Sequence, residues 1–148
     1  MKKILITGIN GFVGSNFTRN WKDRFSLYGV DIHQPPKEGV ERIFSWDELG
    51  KIPSVDAIVH LAGKAHDTKN QSEAKSYFDI NTGLTQRIFD YFLQSDARAF
   101  VFFSSVKAAA DSVPGDVLTE EIVPDPKGPY GESKIKAEEY LLSKQSVA

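Results

Sequence analysis

The chain has 148 residues, of which 41% are hydrophobic and 26% are charged, so it can form one globular domain with a hydrophobic core. Its formal net charge of −2 and its lack of a basic stripe argue against nucleic acid as a partner. It contains no cysteine, which excludes disulfides and Cys-ligated metal sites. No apolar run approaches the ~20 residues that a membrane span needs. We therefore expect a soluble cytoplasmic protein without a metal site or membrane segment.

Short apolar segments alternate with amphipathic segments, which is typical of a parallel sheet with crossover helices. The fold class we predict is α/β, a Rossmann-type doubly wound parallel sheet in the order 3-2-1-4-5. The predicted strands are Lys3–Thr7, Leu27–Asp31, Arg42–Phe44, Ala57–Leu61 and Ala99–Ser104. The predicted helices are Phe12–Lys22, Ser72–Leu93 and Tyr130–Leu142, with a short one starting at Trp46.

Two further features follow from this pattern. The near-continuous apolar strands around Ile58-Val59 and Phe100–Phe103 predict strands covered on both faces, as in parallel sheets. The segment Asp111–Gly128 contains several prolines and glycines and is predicted to be a loop. Loops of that length in compact domains are often functional.

A glycine-rich segment follows the first predicted strand and leads into the first helix. Gly8 permits a tight turn, Gly11 allows backbone to approach a pyrophosphate, and Gly14 allows the helix to pack close to the strand. The N–H groups of the helix N-terminus would face the anion. The alternative is a strand-to-helix turn that binds no ligand. The candidate cofactor-binding residues of this turn are Gly8, Asn10, Gly11, Phe12, Val13 and Gly14.

Asp31 ends the second predicted strand. A carboxylate there can accept hydrogen bonds from both ribose hydroxyls of an adenosine, and it would repel a 2′-phosphate. This position favours NAD over NADP as the cofactor. The alternative is a helix cap or a solvated strand end.

Tyr130 and Lys134 stand four residues apart at the start of the last predicted helix. Four residues are slightly more than one helical turn, so both side chains lie on one face. An ammonium beside a phenol favours the ionised phenolate, which can act as a base. The same spacing also arises by chance on many amphipathic helices.

Several other polar residues have more than one possible role. Asn81 falls on the apolar stripe of the 72–93 helix, where a buried amide needs partners, so it is either a structural bridge or part of a proton path. We expect His60 to pack near the glycine-rich turn, with a direct chemical role as the alternative. We expect His66 to lie on a solvated loop. Ser104 is expected to face the core or cap the strand. Ser105 is the better candidate for a catalytic hydroxyl, although it could be an ordinary serine at a strand end.

Taken together, these motifs resemble the extended short-chain dehydrogenase/reductase family, which contains the NAD-dependent sugar-nucleotide epimerases and dehydratases. The resemblance runs nearly end to end, and its motifs occur in the family's order. They are the Gly8/Gly11/Gly14 spacing, His60–Gly63, Asn81–Thr85, Ser104-Ser105 and the Tyr130/Lys134 pair.

The resemblance implies a catalytic role for Ser105, Tyr130 and Lys134, an NAD cofactor and a nucleotide-sugar substrate. Tyr130 would take the proton of a sugar hydroxyl as hydride leaves the carbon, Lys134 would stabilise the phenolate and bind the nicotinamide ribose, and Ser105 would position the reacting oxygen. The resemblance also assigns cofactor contacts to Leu61, Ala62 and Gly63, whose backbone would line the cofactor. It makes His66 a candidate contact for the phosphate or sugar of the substrate, as the alternative to a solvated loop.

This chain differs from the family's usual motifs at two positions. The family often has an acidic and an aliphatic residue near the adenine, where this chain has Ser45-Trp46. Dehydratases carry Asp-Glu after the catalytic hydroxyl, where this chain has Val106-Lys107. Dehydration is therefore disfavoured, and the chain is more similar to bacterial UDP-hexose 4-epimerases and 4-keto reductases of polysaccharide synthesis.

Members of the family are longer than this chain. The resemblance implies that residues 1–148 are an N-terminal NAD-binding domain without the last strands and the substrate domain, weakly active or inactive alone. It also implies a homodimer through the helices around 72–93 and 130–142, with Phe89 and Tyr91 partly exposed in an isolated chain. The alternatives are an NAD(P)H-dependent 4-keto sugar-nucleotide reductase, a non-catalytic cofactor-sensing module and a scaffold.

Overall fold

The computed structural model describes residues 1–65, 73–113 and 115–144. They form two compact units. The first comprises Met1–Ala62 and Ile88–Phe103, and the second comprises Gly63–Arg87 and the described residues from Ser104 onward. In the described ranges, no helix has the length and apolar character needed to cross a membrane.

The first unit contains a parallel five-stranded sheet. Its order is β3-β2-β1-β4-β5, which confirms the predicted topology. The strands are β1 (Lys3–Thr7), β2 (Ser26–Val30), β3 (Arg42–Phe44), β4 (Ala57–His60) and β5 (Ala99–Phe102). Ligands of such sheets bind beyond the carboxyl ends of the strands, where the strand order reverses. Here that point lies at β1, which pairs with both β2 and β4.

Helices form in the segments where the sequence predicts them. In chain order they are α1 (Phe12–Trp21), a 3₁₀ helix (Trp46–Lys51), α2 (Ala74–Tyr77), a π-helix (Phe78–Gly83), α3 (Leu84–Leu93), α4 (Val106–Ala109) and α5 (Gly128–Lys144). The predicted helix from Ser72 corresponds to three segments in series, and Ser72 itself lies outside the described residues. The short helix α4 was not predicted, because four residues are too few to show a helical period.

Burial of the central strand holds the first unit together. Ile4 to Thr7 of β1 are all buried, because β1 has a strand on each side and its Ile4 and Ile6 side chains belong to a cluster against which Phe17 of α1 packs. Ile9 continues this core into the turn after β1. One core cluster consists of Ile4, Ile6, Ile9, Leu27, Ile43 and Val59, with Phe17, Phe25, Val40 and Leu61 packed against it.

The prediction that the Phe100–Phe103 segment is covered on both faces is wrong. Val101 is 44% exposed and Phe103 is 45% exposed. The opposite face is covered, since the Phe100 ring packs edge-on against Phe89 at 4.9 Å and the Phe102 ring stacks on His60 at 5.8 Å. Among the described residues, packing therefore covers one face of β5 and leaves the other exposed.

The prediction that Phe89 is partly exposed is also wrong. Phe89 is 7% exposed, because its ring lies against Phe92 and Phe100 within the first unit. Tyr91 is half-buried, and burial raises the pKa of its phenol. The homodimer through these helices stays a prediction, without Phe89 as an exposed contact.

In the second unit, Gly131 lets α5 approach α4 closely. A Cβ on Gly131 would lie 2.3 Å from the Lys107 carbonyl oxygen and 3.0 Å from the Pro126 side chain. Backbone can therefore meet backbone only because residue 131 has no side chain. This contact lies beside Tyr130, so the same glycine brings the Tyr130 helix against the segment that follows Ser105.

We predict that Gly131→Ala destabilises the protein. The added methyl group must displace the Lys107 backbone, and overpacking of this kind costs about 1–3 kcal/mol. Gly83→Ala is the matched control, because its Cβ would lie 3.7 Å from the Phe78 carbonyl oxygen, an ordinary contact. In a helix that substitution stabilises by about 0.5–1 kcal/mol. Urea unfolding followed by circular dichroism measures both, and equal midpoints for the two variants would contradict the prediction.

Candidate functional site

The glycine-rich turn of the first unit begins at Gly8, which adopts φ +68°. Its N–H donates to the Val30 carbonyl at 2.9 Å, and an added Cβ would lie 2.8 Å from the Ala62 backbone. A side chain here would meet both a disfavoured backbone conformation and a clash. The predicted tight turn is therefore present, and Leu61 and Ala62 lie against it.

The turn leads directly into α1. The Gly11 N–H donates to the Gly8 carbonyl at 3.0 Å, and Gly11 is the N-cap residue of the helix. A Cβ on Gly14 would lie 2.5 Å from the Gly8 carbonyl oxygen, so Gly14 permits the close packing that was predicted. Phe12 is 87% exposed and Val13 is also exposed, so the first turn of α1 faces solvent.

Asp31 follows β2 and contacts the same turn. Its Oδ2 accepts a hydrogen bond from the Asn10 backbone N–H at 2.9 Å, and its Oδ1 accepts from the Ile32 N–H at 2.8 Å. The Asn10 side chain donates to the His33 carbonyl at 2.9 Å. The structure thus brings together Asp31 and Asn10, two of the predicted cofactor-binding residues.

His60 stabilises this turn from within the core. It is buried, and its Nδ1 lies 2.5 Å from the Thr7 hydroxyl oxygen. That hydroxyl oxygen also accepts a hydrogen bond from the Ala62 N–H at 3.1 Å. His60 packs near the glycine-rich turn, as predicted, and its ring is enclosed by protein.

These features of the first unit are those that a dinucleotide requires. Glycines at positions 8 and 14 leave no room for a Cβ, and the helix that follows presents its N-terminal N–H groups at an exposed surface. The first turn of α1 carries no acidic residue that would repel a diphosphate. A carboxylate, Asp31, follows β2 and lies beside the turn, and a carboxylate at such a strand end can accept hydrogen bonds from ribose hydroxyls. The residues therefore fit NAD.

In the second unit, Ser105 is the N-cap residue of α4. Its Oγ accepts a hydrogen bond from the Lys107 N–H at 3.2 Å. The hydroxyl retains its proton for another acceptor, because only a lone pair is used in the cap. Ser104 is exposed, and its hydroxyl donates to the Glu138 carboxylate. The prediction that Ser104 faces the core or caps the strand is therefore wrong.

Tyr130 and Lys134 lie on successive turns of α5. The Tyr130 ring is half-buried and meets the Tyr77 ring edge-on at 6.2 Å. Lys134 is 7% exposed, and its ammonium lies 3.5 Å from the position that a Cβ on Gly63 would take. Burial lowers the pKa of the Lys134 ammonium, and the Glu138 carboxylate opposes that shift.

Asn81 joins three segments of the second unit. Its side-chain oxygen accepts from the Lys64 N–H at 2.7 Å, and its Nδ2 donates to the Lys64 carbonyl at 3.2 Å and to the Ser133 hydroxyl at 3.0 Å. The Ser133 hydroxyl in turn donates to the Tyr130 carbonyl at 2.8 Å. Asn81 therefore acts as a structural bridge, one of the two roles proposed for it, and it lies in the π-helix.

Sequence reasoning missed Ser133 and Lys64. Ser133 lies between the catalytic candidates Tyr130 and Lys134, but a serine inside a helix carries no signal of its own. Lys64 contributes its backbone to Asn81, and its ammonium lies 5.3 Å from the centre of the Tyr77 ring. His66 lies outside the described residues.

The departure at Ser45-Trp46 has a structural role. Trp46 is buried, and Ser45 begins the 3₁₀ helix with a capping box that includes Glu48. The Ser45 N–H donates to the Glu48 carboxylate at 3.1 Å. These residues therefore terminate β3 and start the helix.

Comparison with known proteins identifies the family. The sequence model of the NAD dependent epimerase/dehydratase family matches residues 4–146. The chain belongs to this family.

Relatives in the epimerase/dehydratase family include enzymes of two kinds. The chain is 27% identical over 154 residues to UDP-glucose 4-epimerase of Vibrio cholerae, covering 96% of this chain and 47% of the relative. It is 32% identical over 142 residues to UDP-2-acetamido-2,6-beta-L-arabino-hexul-4-ose reductase of Pseudomonas aeruginosa, covering 94% of this chain and 30% of the relative.

A solved structure supports the fold assignment. MoeE5 in complex with UDP-glucuronic acid and NAD is 25% identical and superposes with a TM-score of 0.81, covering 95% of this chain and 48% of that one. The chain therefore spans half or less of the length of these family members.

The burial of Lys134 predicts a distinctive pH dependence of stability. Because its pKa in the folded protein is below the ordinary 10.5, the folded state binds fewer protons than the unfolded state between those two values. The free energy of unfolding contributed by Lys134 therefore rises with pH through that window. Lys134→Met removes this contribution.

Urea unfolding of wild type and Lys134→Met at a series of pH values up to 10.5 measures this effect. The other titrating groups cancel in the difference between the two proteins. We expect the wild type to gain stability relative to the variant as pH rises. Parallel pH profiles would show that Lys134 is not buried as described.

Proposed function

We propose that this chain is the cofactor-binding part of an NAD-dependent UDP-hexose 4-epimerase, with Ser105, Tyr130 and Lys134 as its catalytic residues. The observation that carries the proposal is the buried ammonium of Lys134, one helical turn after Tyr130, on a helix that packs against the Ser105-capped α4. Burial of a lysine ammonium costs free energy, and titratable groups desolvated in this way occur often at functional sites. The epimerase relatives add support from a separate source.

When bound, NAD would supply the hydride acceptor for oxidation of the sugar carbon to a ketone and the hydride for reduction of that ketone from its other face. The backbone from Gly8 to Val13 holds the diphosphate through the helix N-terminus. Asp31 binds the adenosine ribose hydroxyls with the lone pairs that its two backbone contacts leave free. Leu61, Ala62 and Gly63 contribute backbone to the same cofactor.

In this proposal, three residues of the second unit transfer the proton, stabilise charge and bind the substrate oxygen. Tyr130 accepts the proton of the sugar 4-hydroxyl and later returns it. Lys134 stabilises the phenolate by its charge, and its burial strengthens that interaction because water is excluded. The Ser105 hydroxyl donates a hydrogen bond to the reacting oxygen, since its contact with the Lys107 N–H uses only a lone pair. Asn81 and Ser133 fix the backbone around Tyr130.

The cofactor assignment predicts a specific response to Asp31→Ala. Calorimetric titration of this chain with NAD should show at least about tenfold weaker binding for the variant, because charge-assisted bonds to the ribose are lost. NADP binding should suffer less, since the carboxylate that repels its 2′-phosphate is gone. Asp23→Ala, an exposed carboxylate beyond the other end of α1, is the matched control. Negligible heat with NAD for the wild type would refute the cofactor assignment.

The chemical assignment predicts that Tyr130→Phe abolishes most turnover. In the complete enzyme implied by this proposal, loss of the phenol should lower kcat by about 10²–10⁴-fold, the contribution of a positioned general base. Tyr140→Phe, a half-buried tyrosine on the same helix, should leave kcat within about twofold of wild type, since Tyr140 is not one of the proposed catalytic residues. A panel of UDP-hexoses assayed for 4-epimerisation provides the measurement, and full activity of Tyr130→Phe would exclude this role.

A 4-keto sugar-nucleotide reductase is the second candidate. The observation that favours it is the 32% identity to the P. aeruginosa reductase. The same three residues would serve, but the hydride would come from external NADH or NADPH and product would leave. Net oxidation of NADH on addition of a 4-keto sugar nucleotide distinguishes this reaction, because an epimerase regenerates its NAD.

A further inference from the structure

Lys37 lies in the first unit, six residues beyond Asp31, and contacts the glycine-rich turn. Its ammonium donates hydrogen bonds to the Ile9 carbonyl at 2.6 Å and to the Ser15 hydroxyl at 2.9 Å. Lys37 is half-buried, and burial lowers the pKa of its ammonium, while the Asp31 carboxylate opposes that shift. An exposed loop lysine would not be desolvated in this way, so the contact has a cost that some gain must offset.

The Ile9 carbonyl and the Asn10 N–H belong to one peptide group. Lys37 binds the carbonyl oxygen, and Asp31 Oδ2 binds the N–H at 2.9 Å. A trans peptide is planar and its C=O and N–H point in opposite directions. A cation at one end and an anion at the other therefore align with the peptide dipole, and both contacts resist rotation of the peptide plane.

That peptide plane controls the path of the turn. It lies between Gly8, where the chain enters at φ +68°, and Gly11, the N-cap residue of α1. Ile9 is fully buried, and a Cβ on Gly14 would lie 2.7 Å from the Ile9 carbonyl oxygen, so the turn has little space to adopt another path. Ser15, the second acceptor of Lys37, is on the first turns of α1.

We propose that Lys37 is a positioning residue for the cofactor, which together with Asp31 clamps the Ile9–Asn10 peptide and so orients the diphosphate-binding N–H groups of the turn. This inference rests on the proposed NAD binding. It assigns Asp31 a second task beside ribose recognition. It also predicts that binding of the diphosphate part of NAD depends on Lys37, whereas binding of adenosine alone does not.

Calorimetric titrations of the chain with NAD and with adenosine test the proposal. Lys37→Met keeps the length of the side chain but removes the ammonium, and we expect about tenfold or greater loss of NAD affinity with adenosine affinity unchanged. Lys37→Arg retains the charge and should recover most of the loss. Lys22→Met is the matched control, because Lys22 is a nearby cation whose partner is Glu38 rather than the turn.

A double-mutant cycle adds a readout that a general folding defect would not give. If Lys37 and Asp31 act on one peptide, the losses of NAD affinity for Lys37→Met and Asp31→Asn should be strongly non-additive. Additive losses, equal weakening of NAD and adenosine by Lys37→Met, or wild-type NAD affinity in that variant would each overturn the proposal.

Amide hydrogen exchange of the ligand-free protein keeps this proposal separable from the proposed function. The Asn10 amide should exchange faster in Lys37→Met than in wild type, whatever the affinity for NAD, because the clamp is present without ligand. Unchanged exchange would refute the clamp even if NAD binds. Faster exchange in a protein that does not bind NAD would refute the proposed function and leave the clamp as a structural device.

Discussion

At Gly14 the first helix passes so close to the preceding turn that a single added carbon would lie 2.5 Å from the Gly8 carbonyl oxygen. The same constraint recurs in the second unit at Gly131, where α5 meets the Lys107 backbone. Backbone in close contact with backbone leaves polar groups that must find partners. In the turn these partners are Asp31 and Lys37, and each of them binds one end of the same peptide group.

In the second unit, the buried side-chain amide of Asn81 provides the partners that backbone polar groups need. Asn81 satisfies both polar groups of Lys64 and reaches the Ser133 hydroxyl, which continues to the Tyr130 carbonyl. A partly satisfied buried network would be costly, and among the described residues no buried side-chain nitrogen or oxygen lacks a partner. The hydrogen bonds of this network therefore hold the backbone at Tyr130 in place.

Membership of the epimerase/dehydratase family and the geometry of the site lead to the same proposal from different directions. The family match covers nearly the whole chain, whereas the relatives extend well beyond the part that it matches. Cofactor binding is therefore proposed from residues of the chain itself, whereas the sugar nucleotide is proposed from the relatives.

The sequence by itself determined the alternation of strands and helices, the glycine-rich turn and the place of Asp31 at the end of a strand, because these depend on local spacing and on apolar periodicity. Tertiary structure alone decided which polar groups meet: Lys37 with Ile9, and Asn81 with Ser133, are pairs separated by 28 and 52 residues. Burial of Phe89 and exposure of Val101 were decided in the same way. An apolar side chain signals that it favours burial, but whether a neighbour covers it depends on how the elements pack.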